Sequence, residues 1–288
     1  MTLGLPERSN PCPRQSRVAT SRDVLLGLLL VLLLCITFMR NSVWQDGLTL
    51  WSDTVSKSPF SARAQNNLGR ALESNGQPDR ALTRYLLAIS LAPDDAEIHE
   101  SLANAYAGSG MVDEAIEQYL VAIRLAPDYA HAYNNLGNLY YRLGRTEAAT
   151  ECYRTAIRLK PDYADAYYDL ASVYLLQNKT AAAIELFRAA LMLRPDLAAA
   201  YNNLGLAYQS LGLSVEAIAC YMNALKIDPT DAGVYYNLGL ACEYQGAIEA
   251  AQKSFRAALR LQPDFPEVRA HLGSFSQAGA NKRTRPGK

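Results

Sequence analysis

Small, aromatic and proline residues recur along this chain with a period of 34 positions, in six consecutive copies between Ala62 and Phe265. The eighth and the twentieth positions of each copy are small: Gly69, Ala103, Gly137, Ala171, Gly205 and Gly239, then Ala81, Ala115, Ala149, Ala183, Ala217 and Ala251. The twenty-fourth position is aromatic and the thirty-second is proline: Tyr85, Tyr119, Tyr153, Phe187, Tyr221 and Phe255, then Pro93, Pro127, Pro161, Pro195, Pro229 and Pro263. A period of this length indicates stacked repeats rather than one round core.

Each copy is predicted to form two antiparallel helices. Small residues let the two helices approach closely, the aromatic residue fills the space between neighbouring pairs, and proline ends the second helix. The turn inside each pair is expected at a residue that adopts the left-handed conformation. These residues are Gly76, Gly110, Gly144, Gly212 and Gly246, with Asn178 in the fourth copy. The fold class is therefore all-α.

Stretches such as AYNNLGNLYYRLGRTEAATECYRTAIRLKPD, residues 132–162, resemble the tetratricopeptide repeat. The resemblance covers about two-thirds of the chain and implies a right-handed superhelix, an α-solenoid of helix hairpins. The six repeats would occupy residues 62–95, 96–129, 130–163, 164–197, 198–231 and 232–265. We predict a capping helix over residues 266–277 and a disordered basic tail over residues 278–288.

An apolar run precedes the repeats. Residues 24–39 (VLLGLLLVLLLCITFM) carry no charge and are flanked by Arg22 with Asp23 on one side and by Arg40 on the other. A helix of this length spans about 24 Å, slightly less than the hydrocarbon core of a bilayer, and snorkelling of the arginines closes the difference. We therefore predict a transmembrane helix over residues 23–40, after a basic segment over residues 1–22.

A cleaved signal peptide is the alternative interpretation of this run. Such signals end in a small-x-small site, whereas the sequence continues Phe38-Met39-Arg40-Asn41. Four arginines precede the run and only one follows it closely. The single apolar run predicts a single-pass membrane protein. The arginine bias predicts a cytoplasmic N-terminus and an extracytoplasmic repeat array, in the periplasm or a lumen.

The junction between the apolar run and the repeats, residues 41–61, continues the register backwards. Pro59 stands 34 residues before Pro93, and Trp51 stands 34 residues before Tyr85. We therefore predict a degenerate half repeat in the junction.

The sequence from Arg40 to Gly69 (RNSVWQDGLTLWSDTVSKSPFSARAQNNLG) resembles the junction between the last membrane helix and the repeats in transmembrane O-mannosyltransferase-type glycosyltransferases. In that family the repeats lie on the lumenal or extracytoplasmic side. This chain has a single predicted membrane helix and no counterpart of the family's acidic catalytic loops, so transferase activity is not implied. The resemblance instead suggests an accessory or substrate-docking subunit related to a membrane glycosyltransferase.

Charge and chemistry exclude several classes of function. The 28 basic and 28 acidic side chains balance, which gives no electrostatic argument for nucleic acid. No phosphate-binding loop, nucleophile elbow or dinucleotide fingerprint occurs. The cysteines and histidines are scattered without metal-ligand spacing: Cys12, Cys35, Cys152, Cys220, Cys242, His99, His131 and His271. We predict no enzymatic activity, no metal, no small-molecule cofactor and no nucleic-acid partner.

The sixth position of the repeat is the candidate binding site. It is asparagine in four copies, Asn67, Asn135, Asn203 and Asn237, and is interrupted by Ser101 and Asp169. An asparagine offers both a donor and an acceptor, so it can pair with the N–H and C=O groups of an extended peptide. The row resembles the asparagine ladder in the repeats of the O-linked N-acetylglucosamine transferase. Alternatively, these residues solvate a helix face or bond to the neighbouring repeat.

The predicted function is therefore a membrane-anchored scaffold. It would hold a protein or an extended peptide in the concave groove formed by the first helices of the repeats, and it would attach to the membrane through residues 24–39. The alternative is the accessory subunit of a membrane glycosyltransferase described above.

We expect the mature protein to keep Met1 to Arg40, because no cleavage site follows the apolar run. The protein should therefore stay in the membrane pellet after alkaline carbonate extraction. Recovery of a soluble form that begins near Asn41 would contradict a retained anchor.

Overall fold

The computed structural model describes residues 25, 28–33, 37 and 46–283, and in the last helix it describes side chains only as far as Phe275. All regular structure in this part of the chain is helical. A short helix α1, Gly47–Lys57, comes first. The six helix pairs follow: α2 Ala62–Ser74 and α3 Pro78–Leu91, α4 Ala96–Gly108 and α5 Val112–Leu125, α6 Ala130–Arg142 and α7 Thr146–Leu159, α8 Ala164–Leu176 and α9 Thr180–Leu193, α10 Ala198–Ser210 and α11 Ser214–Ile227, α12 Ala232–Tyr244 and α13 Ile248–Leu261. The last helix, α14, covers Pro266–Arg283.

The turn inside each pair has the backbone that the sequence predicts. All six turn residues have a positive φ, between 57° at Asn178 and 79° at Gly110. In this region a Cβ atom is normally unfavourable, and asparagine tolerates it better than other residues with a side chain. The left-handed residue lets the chain reverse within three residues, so the two helices of a pair lie antiparallel.

The chain divides into two compact units, Met1–Arg84 and Tyr85–Lys288. In the first unit, α1 packs on α2. Gln65 of α2 donates from Nε2 to the carbonyl of Pro59 at 2.7 Å, and Arg84 donates to Oε1 of Gln65 at 3.3 Å. Ser61 and Asp46 cap the N-termini of α2 and α1 with their side chains. These bonds connect the junction directly to the first repeat.

In the second unit, each aromatic ring at the twenty-fourth position is buried against the small residue at the eighth position of the same repeat. The rings of Tyr153, Phe187, Tyr221 and Phe255 are at most 1% exposed. A Cβ atom added to Gly205 would lie 2.5 Å from Cε1 of Tyr221, which is far inside van der Waals contact. Glycine at this position therefore lets the ring approach the helix backbone.

The first helices of successive repeats in the second unit also contact one another: α4 with α6, α6 with α8, α8 with α10 and α10 with α12. Each second helix packs mainly between its own partner and the first helix of the next repeat. In a curved stack the closest-spaced elements lie on the inner side. The first helices of this unit therefore form its concave face.

The prediction for the C-terminal end was partly wrong. Helix α14 runs to Arg283, so the first six residues of the predicted disordered tail 278–288 are helical. Ala278 and Ala280 have a high intrinsic helix propensity. The helix packs on α13, where Val268 is fully buried and His271 stacks on Phe255 with ring centroids 5.2 Å apart.

The predicted transmembrane helix over residues 23–40 lies largely outside the described residues. Its eight described residues are helical, and seven of them, Leu25 and residues 28–33, have apolar side chains that are 52% to 72% exposed. In the described part of the chain, no helix is both long enough and apolar enough to cross a membrane.

Replacing Gly205 by alanine is expected to lower the free energy of unfolding by about 1–3 kcal/mol, because the new methyl group collides with the buried Tyr221 ring. The hydroxyl of Tyr221 donates to Gln209 at 2.8 Å, which restrains the ring further. Gly273→Ala in α14 is the matched control, since nothing lies within 4 Å of its added Cβ atom. Urea unfolding of both variants measures the difference. A neutral Gly205→Ala variant would contradict the close approach.

Candidate peptide-binding groove

The predicted ladder residues all lie on first helices. Asn135, Asn203 and Asn237 are on α6, α10 and α12, and each is half-buried on the inner side of the second unit. Asn67 occupies the same position on α2 in the first unit, and it is also half-buried. The structure therefore brings three of the four asparagines onto one continuous face.

Each of these three asparagines donates a hydrogen bond to the repeat before it. Nδ2 of Asn135 bonds to Oε1 of Glu100 at 2.7 Å. Nδ2 of Asn203 bonds to the hydroxyl of Tyr168 at 3.2 Å, and Nδ2 of Asn237 bonds to Oδ1 of Asn202 at 3.0 Å. The acceptor is always the fifth residue of the preceding repeat. We call this bond, from the sixth residue of one repeat to the fifth residue of the previous one, the interlock.

Repeat 4 reverses the direction of the interlock. Its sixth residue is Asp169, a carboxylate, and it accepts from Nδ2 of Asn134 at 3.0 Å. Helices α6 and α8 are therefore also joined through a fifth and a sixth residue, but here the fifth residue donates and the sixth accepts.

The interlock uses one of the two amide hydrogens of each asparagine. The carbonyl oxygens of Asn135 and Asn237, and the whole amide of Asn67, have no hydrogen-bond partner among the described residues. The interlock also fixes the orientation of each amide before any ligand arrives, which lowers the entropy lost on binding. Bonding to the neighbouring repeat, which the sequence left as the alternative, is thus present. The ladder stays a prediction.

A second row of asparagines, missed from the sequence, lies beside the first. The ninth residues of repeats 2 and 3 are Asn104 and Asn138, and each accepts from the hydroxyl of the repeat's aromatic residue, Tyr119 at 2.5 Å and Tyr153 at 2.7 Å. The sequence signal for this row is weak: both asparagines occur with tyrosine at the twenty-fourth position, but repeats 1 and 5 carry that tyrosine with Arg70 or Leu206 at the ninth. In repeats 4 and 6, where the aromatic residue is phenylalanine, the ninth residue is Ser172 or Leu240.

Both rows line a groove of about 220 Å³ between repeats 2 and 3. Its walls include Asn104, Asn135 and Asn138, with Leu139 and the exposed Arg142. Arg142 has no ion-pair partner among the residues that the structure describes. Amide groups of both rows and the Arg142 guanidinium therefore converge on one small surface that is about equally polar and apolar.

The first unit carries a larger groove of its own, of about 570 Å³. Asn67 lines it together with Trp51 and Arg70. This places the fourth predicted ladder residue in an open groove as well.

Several other predicted roles can be compared with the structure. Tyrosine recurs at the fourth position of four repeats, as Tyr133, Tyr167, Tyr201 and Tyr235. The side chains of Tyr133, Tyr201 and Tyr235 pack against buried apolar clusters. Burial raises the pKa of the Cys152 and Cys220 thiols to about 11 and also raises the pKa of Cys242, so these thiols are protonated and unreactive at neutral pH. Among the described residues, no cluster of three or more histidine, cysteine, aspartate or glutamate side chains could hold a metal ion.

The fold defines the chain as a stack of helix hairpins, and comparison with known proteins gives the family. Models described as "TPR repeat" match residues 69–110, 109–144, 137–178 and 172–212, and models described as "Tetratricopeptide repeat" match residues 198–231 and 232–265. Together the matches cover well over half of the chain. The protein belongs to the tetratricopeptide repeat family.

Solved structures agree with this assignment. MamA protein is 30% identical, with a TM-score of 0.53 over 58% of this chain and 92% of that one. The protein pilF of Pseudomonas aeruginosa is 21% identical, with a TM-score of 0.68 over 74% of this chain and 97% of its own. YrrB, described as a TPR protein with an unusual peptide-binding site, is 24% identical, with a TM-score of 0.55 over 66% and 97% of the two chains. A comparison with curated protein sequences finds no match.

The chain is thus an all-α tetratricopeptide scaffold suited to binding a protein or a peptide.

The interlock between Asn202 and Asn237 is expected to contribute about 1 kcal/mol to the free energy of unfolding. A double-mutant cycle with Asn202→Ala and Asn237→Ala measures this contribution, because each single variant breaks the same bond. The cycle should give a coupling energy of about 0.5–1 kcal/mol. Strict additivity of the two substitutions would show that the bond contributes nothing.

Proposed function

We propose that this protein is a membrane-attached scaffold that holds an extended peptide segment of a partner protein along the concave face of its second unit. The observation that carries the proposal is the row of oriented amides on first helices. Asn135 and Asn237 each keep a carbonyl acceptor and one amide hydrogen while the interlock restrains the side chain. The carbonyl can accept from an N–H group of an extended main chain, and the amide hydrogen can donate to one of its C=O groups.

The groove between repeats 2 and 3 is the strongest contact point on this face. Asn104 and Asn138 supply amide groups that their tyrosine partners hold in place, and Asn135 adds its free carbonyl. Arg142 adds a positive charge at the edge of the same groove. A peptide with an acidic side chain beside its bound main chain fits these groups better than a purely apolar one.

Membrane attachment through residues 24–39 is the second part of the proposal. The described leucine and valine side chains of this run are more than half exposed, which is unfavourable in water and favourable in a bilayer. The arginine bias supports a cytoplasmic N-terminus with the repeats on the extracytoplasmic side, in a periplasm or lumen.

An accessory role beside a membrane glycosyltransferase is the second candidate. The sequence of the junction, Arg40 to Gly69, is the observation that favours it, and in the structure this stretch includes α1 and most of α2. Purification of the full chain from native membranes distinguishes the two candidates. Stoichiometric recovery of a multi-spanning transferase supports the accessory role, and recovery of other partners through the groove supports the general scaffold.

Photo-crosslinking tests the groove directly in the full-length, membrane-bound protein. A photoreactive amino acid is placed at Arg142 in the groove and, as a matched control, at the exposed Glu117 on the second helix of repeat 2. We expect a discrete crosslinked partner from position 142 and none of the same mass from position 117. Equal crosslinking at both positions would contradict the groove assignment.

The triple variant Asn135→Ala, Asn203→Ala and Asn237→Ala then identifies the contribution of the ladder. Loss of three hydrogen bonds to the peptide should reduce capture about tenfold or more. Because the variant also loses three interlocks, a lower melting temperature is expected, and circular dichroism must show that the helices remain. Unchanged capture by a folded triple variant would eliminate the ladder.

A further inference from the structure

Among the described residues, the second unit has four interlocks, and the one between repeats 3 and 4 is the one in which the sixth residue accepts instead of donating. At the other interfaces the sixth residue, Asn135, Asn203 or Asn237, donates to the preceding repeat. At this interface the sixth residue is Asp169, whose ionised carboxylate has no hydrogen to donate.

The consequence is a buried acceptor without a hydrogen bond. Oδ1 of Asn134 is inaccessible to solvent and has no hydrogen-bond partner in the described part of the chain, and the whole residue is only 2% exposed. Rotating the amide would not repair this, because Oδ1 would then face the carboxylate of Asp169 in place of Nδ2. At the equivalent position in repeat 5, Oδ1 of Asn202 is satisfied by the donor of Asn237.

A carboxylic acid in place of the carboxylate would complete the pair. The carbonyl oxygen of the acid accepts from Nδ2 of Asn134 as now, and its O–H group donates to Oδ1 of Asn134. One proton from solvent is taken up and one hydrogen bond is formed. The result is a two-bond amide–acid pair with the same hydrogen-bonding capacity as a pair of asparagines.

The surroundings of Asp169 allow its carboxylate to take up a proton at mildly acidic pH. Burial is the main cause that raises the pKa of Asp169 to about 6, and Asp165 on the same helix raises it further. Hydrogen bonds from Asn134 and Asn138 and the charge of Arg194 act in the opposite direction. The other titratable groups that interact with it are the hydroxyls of Tyr153, Tyr163 and Tyr168, and the pKa of each is raised, so they stay neutral through this range.

We propose that Asp169 is a proton-operated joint between repeats 3 and 4. When protonated, its carboxyl gives Asn134 the hydrogen bond that its buried Oδ1 lacks and closes the interface. When ionised, it leaves that oxygen unsatisfied and loosens the interface. The joint lies in the middle of the inner face, since Asn135 and Tyr168, the sequence neighbours of the pair, hold the interlocks on either side.

The direction of the pH effect follows from the two states. The unfolded chain binds this proton with the ordinary pKa of 3.8, and the folded chain binds it with a pKa of about 6. The folded state therefore holds the proton more tightly, and the contribution of Asp169 to stability is complete below about pH 4 and lost as the pH rises through about 6.

Asp169→Asn tests the joint, because asparagine supplies the missing donor at every pH. At pH 7.5 the melting temperature of the full chain should rise by about 2–4 °C. At pH 4.5, where the wild-type carboxyl is protonated in the folded state, most of the difference between the variant and the wild type should disappear. A gain that is the same at both pH values, or a loss at pH 7.5, overturns the proposal.

A second variant separates the missing hydrogen bond from simple removal of a charge. In Asn134→Ala the buried acceptor is gone, so adding Asp169→Asn should no longer raise the melting temperature at pH 7.5. A gain that persists in this background would mean that removal of the buried charge of Asp169, and not the missing hydrogen bond, is the cause, which overturns the joint. Nuclear magnetic resonance of the Asp169 carboxyl provides a direct readout. A titration midpoint near pH 6 supports the proposal, and a midpoint near 4 overturns it.

Discussion

The packing of one aromatic ring against one small residue is the interaction on which the rest of the array depends. In repeats 2 to 6 the ring at the twenty-fourth position is at most 2% exposed, and it faces glycine or alanine on the partner helix. This contact sets the distance between the helices of a pair. It also determines where the first helix of each repeat lies, and hence which side chains face the groove. The buried rings therefore determine where the polar side chains of the inner face lie.

The interlocks fix the position of neighbouring first helices along their axes. Apolar contacts between helices tolerate small shifts along the helix axis, whereas a hydrogen bond between the fifth and sixth residues of successive repeats does not. The rings with a hydroxyl group extend the same network, since Tyr119 and Tyr153 each hold an asparagine on the groove face. Core and groove are thus connected at repeats 2 and 3. In repeats 4 and 6 phenylalanine fills the core without reaching the surface.

The fold was predictable from the sequence because its determinants are local and repeated. Four columns of residue type predicted the helix pairs, and Asn178 marked a left-handed turn even without glycine. The site was less predictable. The asparagines at the sixth position stood out as a column, but their bonds join residues 35 positions apart and depend on which acceptor the fifth position offers. The extra helical residues of α14 were also missed, because a basic, glycine-containing sequence resembles a disordered tail as much as a helix end.

Because the spacing of the interlock is constant, the same bond can form in an array with any number of repeats. Each interlock joins positions separated by one repeat and one residue, and no interlock depends on a particular repeat being present. Removing residues 164–197 would bring Asn203 opposite Asn134, and the donor of the one would meet the unsatisfied carbonyl of the other. An array built in this way can lengthen or shorten by whole repeats through duplication or deletion in the gene and still join correctly. In such an array, the fourth repeat with Asp169 is the one whose link to its neighbour depends on a carboxyl group.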